Sequence, residues 1–274
     1  MFLRKTFILI LFLFCIQISS ESIFIDAKGK VIKERFRVPK GYKRIISIDN
    51  SFAEYLQNLP LKRHGTKVML FNGKIKTPED VYDAVIDIDV GEKDLQQCAD
   101  AVMRLRAEYL YSKGRYEDIH FNFTNGFNAD YSKFALGNRI NVKGNSVTWK
   151  KTSDKDYSYE TFRKYLDIVY SYAGSASLSK ELISVKNFAD IKIGDVLIQG
   201  GFPGHAVIVV DMAKSIDSGE KIFLFAQSYM PAQDIQILKN PEKEELSPWY
   251  SSNILDTIVT PEWEFKKTDL KRFN

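Results

Sequence analysis

The chain has 274 residues, is 45% hydrophobic, 13% aromatic and 27% charged, and holds 15 glycines and 8 prolines. This composition excludes a disordered tail, a collagen or a cysteine-stapled miniprotein, and it supplies enough apolar residues for a sizeable core. Its 39 basic and 35 acidic side chains give a net charge of +4, too little for a broad nucleic-acid-binding field.

Residues 1–20 (MFLRKTFILILFLFCIQISS) place Arg4 and Lys5 before an apolar run from Phe7 to Ile16, followed by polar and small residues. This is the three-part pattern of a secretory signal peptide, and the apolar run is too short to span a bilayer. Cleavage after Ser20 is expected to leave one domain, residues 21–274, exported to the periplasm or cell envelope. Cys15 offers an alternative, cleavage before it and attachment to lipid, although Leu13 and Phe14 are larger than such sites usually accept. Without the leader the balance is 37 basic to 35 acidic residues, and Cys98 is the one cysteine left. An odd cysteine in an oxidising compartment is either a reactive thiol or a small buried hydrophobe.

Residues 21–47 read as extended and turn-like. Ser51–Leu59 fits a short helix ended by Pro60, and Val68–Lys76 fits a small hairpin about Asn72-Gly73. VIDIDV (85–90) alternates as a strand with Val85, Asp87 and Asp89 on one side. A long helix is predicted over 92–112, with Leu95, Cys98, Ala99, Val102, Leu105 and Tyr109 on its apolar face and Glu92 and Asp94 in its first turn. A turn at Asn125-Gly126, a hairpin over 137–149, a second helix over 159–172 and a short helical piece at 178–182 follow. The last third reads as antiparallel strands at 196–198, 205–211 and 221–226, which gives an α+β fold.

His205 opens its strand behind the glycine-rich GGFPG (200–204), an open approach that suits a general base. Cys98 lies near a helix start, where free N–H groups and the dipole favour a thiolate. Cysteine at a helix start and histidine at a strand start form the arrangement of papain-like hydrolases. The third, orienting group is either Gln227 or Asp211, and Gln227 is preferred because Asp211 stands about 20 Å along an extended strand. Gln97 or Gln96 is expected to help hold an oxyanion. Arg104, Arg139 and Trp149 are candidates to grip an acidic ligand, sugar or peptide. His64, His120 and His205 are widely spaced and no HExxH, CxxC, GxxxxGK, GxGxxG or GxSxG motif occurs, so neither a metal nor a nucleotide cofactor is expected.

The runs GEKDLQQCADAVMRLRAEYLY (91–111), IHFNFTNGF (119–127), GDVLIQGGFPGHAVIVVDMA (194–213), FAQSYMPAQ (225–233) and the ending SPWY…TPEWEFKKTDLKRF resemble the bacterial DUF4846 family. The resemblance extends from about residue 40 to the C-terminus and implies an exported or lipid-anchored protein of no assigned activity. More remotely, the order of cysteine helix, GD strand and G-H strand is similar to the papain-like NlpC/P60 and CHAP groups. That likeness implies an antiparallel sheet packed on a long helix carrying Cys98, with insertions. It matches Cys98 to the nucleophile, His205 to the base and Gln227 to the polar third residue, with a peptidoglycan peptide as substrate. Gln97-Cys98-Ala99-Asp100 departs from the usual cysteine motif of those groups, and the 107 residues from Cys98 to His205 require an insertion. The expectation is a thiol amidase or peptidase of the cell wall. The alternatives are a non-catalytic envelope protein binding glycan or peptide, and a structural lipoprotein.

Overall fold

The computed structural model describes residues 23–254 and 256–274; the leader predicted over 1–20, and Cys15 within it, lie outside them. The fold is α+β. Its main sheet is antiparallel in every pairing, in the order Tyr82–Val85, Gln236–Leu238, Lys221–Gln227, His205–Ser215, Val196–Gln199, Leu270–Arg272, Ile183–Ser184. Tyr42–Arg44 pairs with the far end of His205–Ser215, and Tyr250–Ser251 with Lys221–Gln227. Two-stranded ribbons at 120–130, 138–151 and 257–266 stand outside the sheet. Among the described residues no helix is long and apolar enough to cross a membrane.

Both faces of the sheet are covered. Ala206, Ile208 and Val210 face a core shared with the helices Cys98–Ser112, Tyr159–Tyr172 and Ser175–Glu181. Val207 and Val209 face a second core built with Phe223, Phe225, Ile258 and Phe265. The residues that alternate along the histidine strand therefore read as a nearly continuous apolar run, as expected of a strand buried on both sides.

The helix predicted over 92–112 begins at Cys98 and ends at Ser112. Gln97 caps it in an extended conformation, and its N–H donates to Asp100 Oδ2 at 3.0 Å. The carboxylate of Asp94, expected in the first helical turn, is used elsewhere: Oδ1 accepts the Ala232 N–H at 2.7 Å and Gln97 Nε2 at 3.1 Å. Cys98 thus moves from the second turn to the first residue of the helix. Burial also extends beyond the predicted stripe to Ala101, Met103, Ala107 and Leu110. The helix is apolar on most sides because Tyr111 stacks on Phe162, with centroids 4.4 Å apart, bringing the 159–172 helix over its outer face.

Two other expectations change. The strand at 85–90 is instead Tyr82–Val85, and Asp89 beyond it reaches Arg163 at 2.8 Å. On the histidine strand Val210 is the extra residue of a bulge, with Leu224 opposite Asp211 and Phe225 opposite Val209. The extra residue reverses the alternation. Strict alternation would set Asp211 on the His205 face; the bulge turns it instead to the helical side, where Gln57 Nε2 at 2.7 Å and Arg44 Nε at 3.0 Å hold its carboxylate.

Candidate functional site

His205 is the first residue of its strand, but the open approach expected behind GGFPG is not found: the ring is only 1% exposed, covered by aromatic side chains, and it does not line the cavity that holds Cys98. The loop before it packs closely on the helix Ser175–Glu181: a Cβ on Gly204 would lie 2.4 Å from Ser175 Oγ and 2.6 Å from Gly201 O, so a larger residue there would push the loop off. The imidazole packs against Tyr229, Trp263 and Phe265 at centroid distances of 4.9, 5.3 and 5.9 Å. Trp263 is itself tied by its indole N–H to Gln199 Oε1, at 3.0 Å, and Gln199 pairs with His205 across the strands.

His205 Nε2 meets Gln227 Oε1 at 2.8 Å. The orientation of that amide is fixed from behind. Gln227 Nε2 donates to Glu262 Oε2 at 2.6 Å, and Glu262 Oε1 is bound by Lys76 Nζ at 2.5 Å. A carboxylate accepts only, so the amide must present its NH₂ to Glu262 and its oxygen to the imidazole. Nε2 then carries the proton, and Nδ1 keeps its lone pair. Burial, with the nearby Lys76 charge, lowers the His205 pKa to about 4 against the opposing effect of the Gln227 hydrogen bond. The ring is therefore neutral at pH 7.

Cys98 is partly buried in the wall of a cavity of about 500 Å³ that is also lined by Gly204, Tyr229 and Trp263, the neighbours of the imidazole. Backbone N–H groups of Ala99, on its own helix, and of Ala206, the residue after His205, favour the thiolate. The cysteine helix and the histidine strand pack against each other at this wall. The predicted activation by the helix start is outweighed: burial, reinforced by Asp100, pushes the thiol up to about 11 in spite of those N–H groups. Cys98 and His205 are thus both uncharged at rest.

Gln97 lines the same cavity, but its amide donates to Asp94 Oδ1. Gln96, the other oxyanion candidate, is buried with Oε1 on Arg104. Arg104, Arg139 and Trp149 do not line the cavity. Arg104 is buried and bound to Glu108, Gln96 and Tyr159. Arg139 donates to Phe134 O and lies over the Phe134 ring at 4.3 Å, while Trp149 packs on Phe127 at 5.5 Å in the outer ribbon. Glu262 and Lys76 escape sequence reasoning, since no local pattern links them to residue 227.

Asp100 lines the cavity beside Cys98, and burial raises its carboxyl to about 8. An acid with a native pKa above its unfolded value gives up stability as pH rises between the two. Melting temperature is accordingly expected to fall between about pH 4 and pH 8, and Asp100→Asn to flatten that slope, measured by calorimetry across the range.

A family model described as domain of unknown function 4846 matches residues 32–272. The chain belongs to the DUF4846 family. It matches no curated protein and no solved structure. In this DUF4846 chain the matched segment contains Cys98, His205, Gln227 and Glu262 together.

Proposed function

We propose that this DUF4846 protein is an exported thiol hydrolase that cleaves an amide bond in a cell-wall peptide. The observation that carries the reading is the His205–Gln227 hydrogen bond, its amide locked by Glu262, behind the wall of a cavity lined by Cys98, which we assign as the nucleophile. A histidine whose tautomer is set by a neighbouring side chain, with one basic nitrogen left, is the working part of a cysteine or serine acyl-transfer site. The same roles follow by analogy from the residue order shared with papain-like hydrolases.

Because thiol and imidazole are both neutral at rest, the chemistry is general-base catalysis and needs no preformed ion pair. His205 Nδ1 takes the thiol proton as Sγ attacks the amide carbonyl. The oxyanion forms near the N-terminus of the cysteine helix, where the dipole favours negative charge. Collapse breaks the C–N bond, and His205 returns the proton to the departing amine. Water then attacks the thioester, giving its proton to Nδ1, and the acid leaves as Sγ regains the proton. Gln227 steadies the ring throughout.

The exposed Phe202 and Met230 flank the cavity on separate loops and suit contact with an extended, partly apolar substrate. Incubation of purified peptidoglycan with the protein, with products read by mass spectrometry, is expected to release new amine and carboxyl ends. Cys98→Ala and His205→Ala are each expected to abolish them. Equal products from wild type and Cys98→Ala would overturn the assignment.

A further inference from the structure

The positive charge of the chain is concentrated in one segment. Residues 133–155 hold Lys133, Arg139, Lys143, Lys150, Lys151 and Lys155 against a single acid, Asp154. That is +5 against the net +4 of the whole chain, so all the other residues together sum to −1. The segment contains the ribbon of Asn138–Lys143 and Ser146–Lys151, and its register sorts the side chains. Ile140 pairs with Trp149 and Val142 with Val147, and Ile140, Val147 and Trp149 pack on the helical core. The alternate residues form the other face: Arg139 opposite Lys150, Asn141 opposite Thr148, and Lys143 opposite Ser146. All of these are exposed except the half-buried Arg139. The face carries three cations, an amide and two hydroxyls, with no carboxylate and no aromatic ring.

Like charges set opposite each other, as Arg139 and Lys150 are, weaken a ribbon, and no acid on this face offsets them. Among the described residues none of the six cations of the segment is in an ion pair. Arg139 is held by Phe134 O and Asn138 O, each at 2.9 Å, Lys151 by Leu136 O, and Lys155 lies over the Tyr157 ring at 5.2 Å. A carbonyl or a ring leaves the charge in place, whereas a carboxylate would cancel it. The ribbon is also fixed to the body, by Trp149 on Phe127 and by Asn125 Nδ2, which donates to Asn145 O at the turn at 3.1 Å. A firm cationic face about 20 Å long is thus left without a counter-charge. To enter a DNA groove a ribbon must project from its body, and this one is sealed along its apolar face. Single strands of nucleic acid bind on aromatic platforms, which this face lacks. An anionic lipid surface asks for neither, since lysines and arginines near it gain from the field of many headgroups without a pocket.

We infer that the outer face of the 138–151 ribbon docks on an anionic lipid surface, with Lys143 and Lys150 as its principal contacts and lipid phosphate groups as their ligands. No residue of the ribbon lines the Cys98 cavity, so the docking face is separate from the proposed thiol chemistry and stands or falls without it.

The test is co-sedimentation of the protein with vesicles of mixed phosphatidylglycerol and phosphatidylcholine, against vesicles of phosphatidylcholine alone. Binding to the mixed vesicles is expected to exceed that to the neutral ones, and the excess to vanish between about 50 and 500 mM salt as the Debye length shrinks. Lys143→Glu/Lys150→Glu should weaken the excess about twentyfold or more, from about fivefold for each lysine. Both positions are exposed, and the change at Lys150 relieves its like-charge pairing with Arg139, so this variant should melt no lower than the wild type. Lys28→Glu/Lys74→Glu makes the same change of net charge at exposed positions elsewhere and should keep binding within about twofold. Equal binding to the two kinds of vesicle, or an equal loss in the two double variants, would overturn the docking face. Tighter binding to a DNA duplex than to the mixed vesicles at the same salt, lost in Lys143→Glu/Lys150→Glu, would overturn the lipid assignment and make the face a nucleic-acid surface.

Discussion

Arg104→Ala is expected to lower folding stability by about 3 to 5 kcal/mol, the usual cost of removing one member of a buried ion pair. The guanidinium is fully buried and spends its donors on Glu108 Oε1 at 2.6 Å, Gln96 Oε1 at 2.9 Å and the Tyr159 hydroxyl at 3.1 Å, with Asp89 at 3.5 Å. It ties the central helix to the loop before it and to the helix Tyr159–Tyr172. Truncation leaves a cavity and strips the Glu108 carboxylate of its cation. Arg104→Lys is expected to recover only part of the loss, since a single ammonium cannot span these partners. Replacing the pair as a unit, Arg104→Met with Glu108→Leu, should recover most of it. Urea unfolding measures each difference. A change within about 0.5 kcal/mol for Arg104→Ala, typical of surface positions, would show that the cluster is not structural.

The second large effect lies behind the imidazole. Glu262→Gln is expected to slow amide cleavage about a hundredfold or more, comparable to loss of a positioned general base, with little change in KM. The new amide offers donors as well as an acceptor, so the Gln227 side chain is no longer forced to present its oxygen to His205. Once Gln227 turns its NH₂ to Nε2, the ring proton must move to Nδ1, the nitrogen needed as base. Imidazole ¹⁵N shifts should report Nε2–H alone in the wild type and a mixture in the variant. Lys76, buried beside Glu262, would lose its counter-charge, so the double variant Lys76→Met/Glu262→Gln separates the tautomer from stability. A wild-type tautomer in both variants would contradict the positioning role.

Much of the organisation is legible in the sequence because it depends on periodicity. The 159–172 helix, the 138–151 ribbon and the strands at 196, 205 and 221 all follow from local alternation or three- and four-residue steps. What is not legible depends on distant partners. The start of the cysteine helix is displaced because Asp94 binds the Ala232 N–H, a contact 138 residues away in the chain. Asp211 leaves the His205 side because of a bulge, which shifts register without any mark in composition. Arg104 reads as a candidate to grip an acidic ligand, but the 159–172 helix covers it and its donors are spent on Glu108, Gln96 and Tyr159. The pairing of His205 with Gln227 follows from adjacent strands, whereas Glu262 and Lys76 reach the site from loops with no signal linking them. The thiol pKa is misjudged for a related reason: helix position is local and predictable, but burial is collective, and here burial wins.

The central claim is that His205 serves as the base for Cys98. It is tested most directly by the rate of iodoacetamide alkylation at Cys98 against pH, followed by mass spectrometry of the Cys98 peptide in the wild type and in His205→Ala. With the base in place, alkylation should proceed near neutral pH and fall only as His205 is protonated, toward about pH 4. Without it, reaction should wait for the thiol's own ionisation, displaced toward about pH 11. Superimposable profiles in the two proteins, or a native Cys98 that resists alkylation until the chain unfolds, would contradict the account and make Cys98 a core residue.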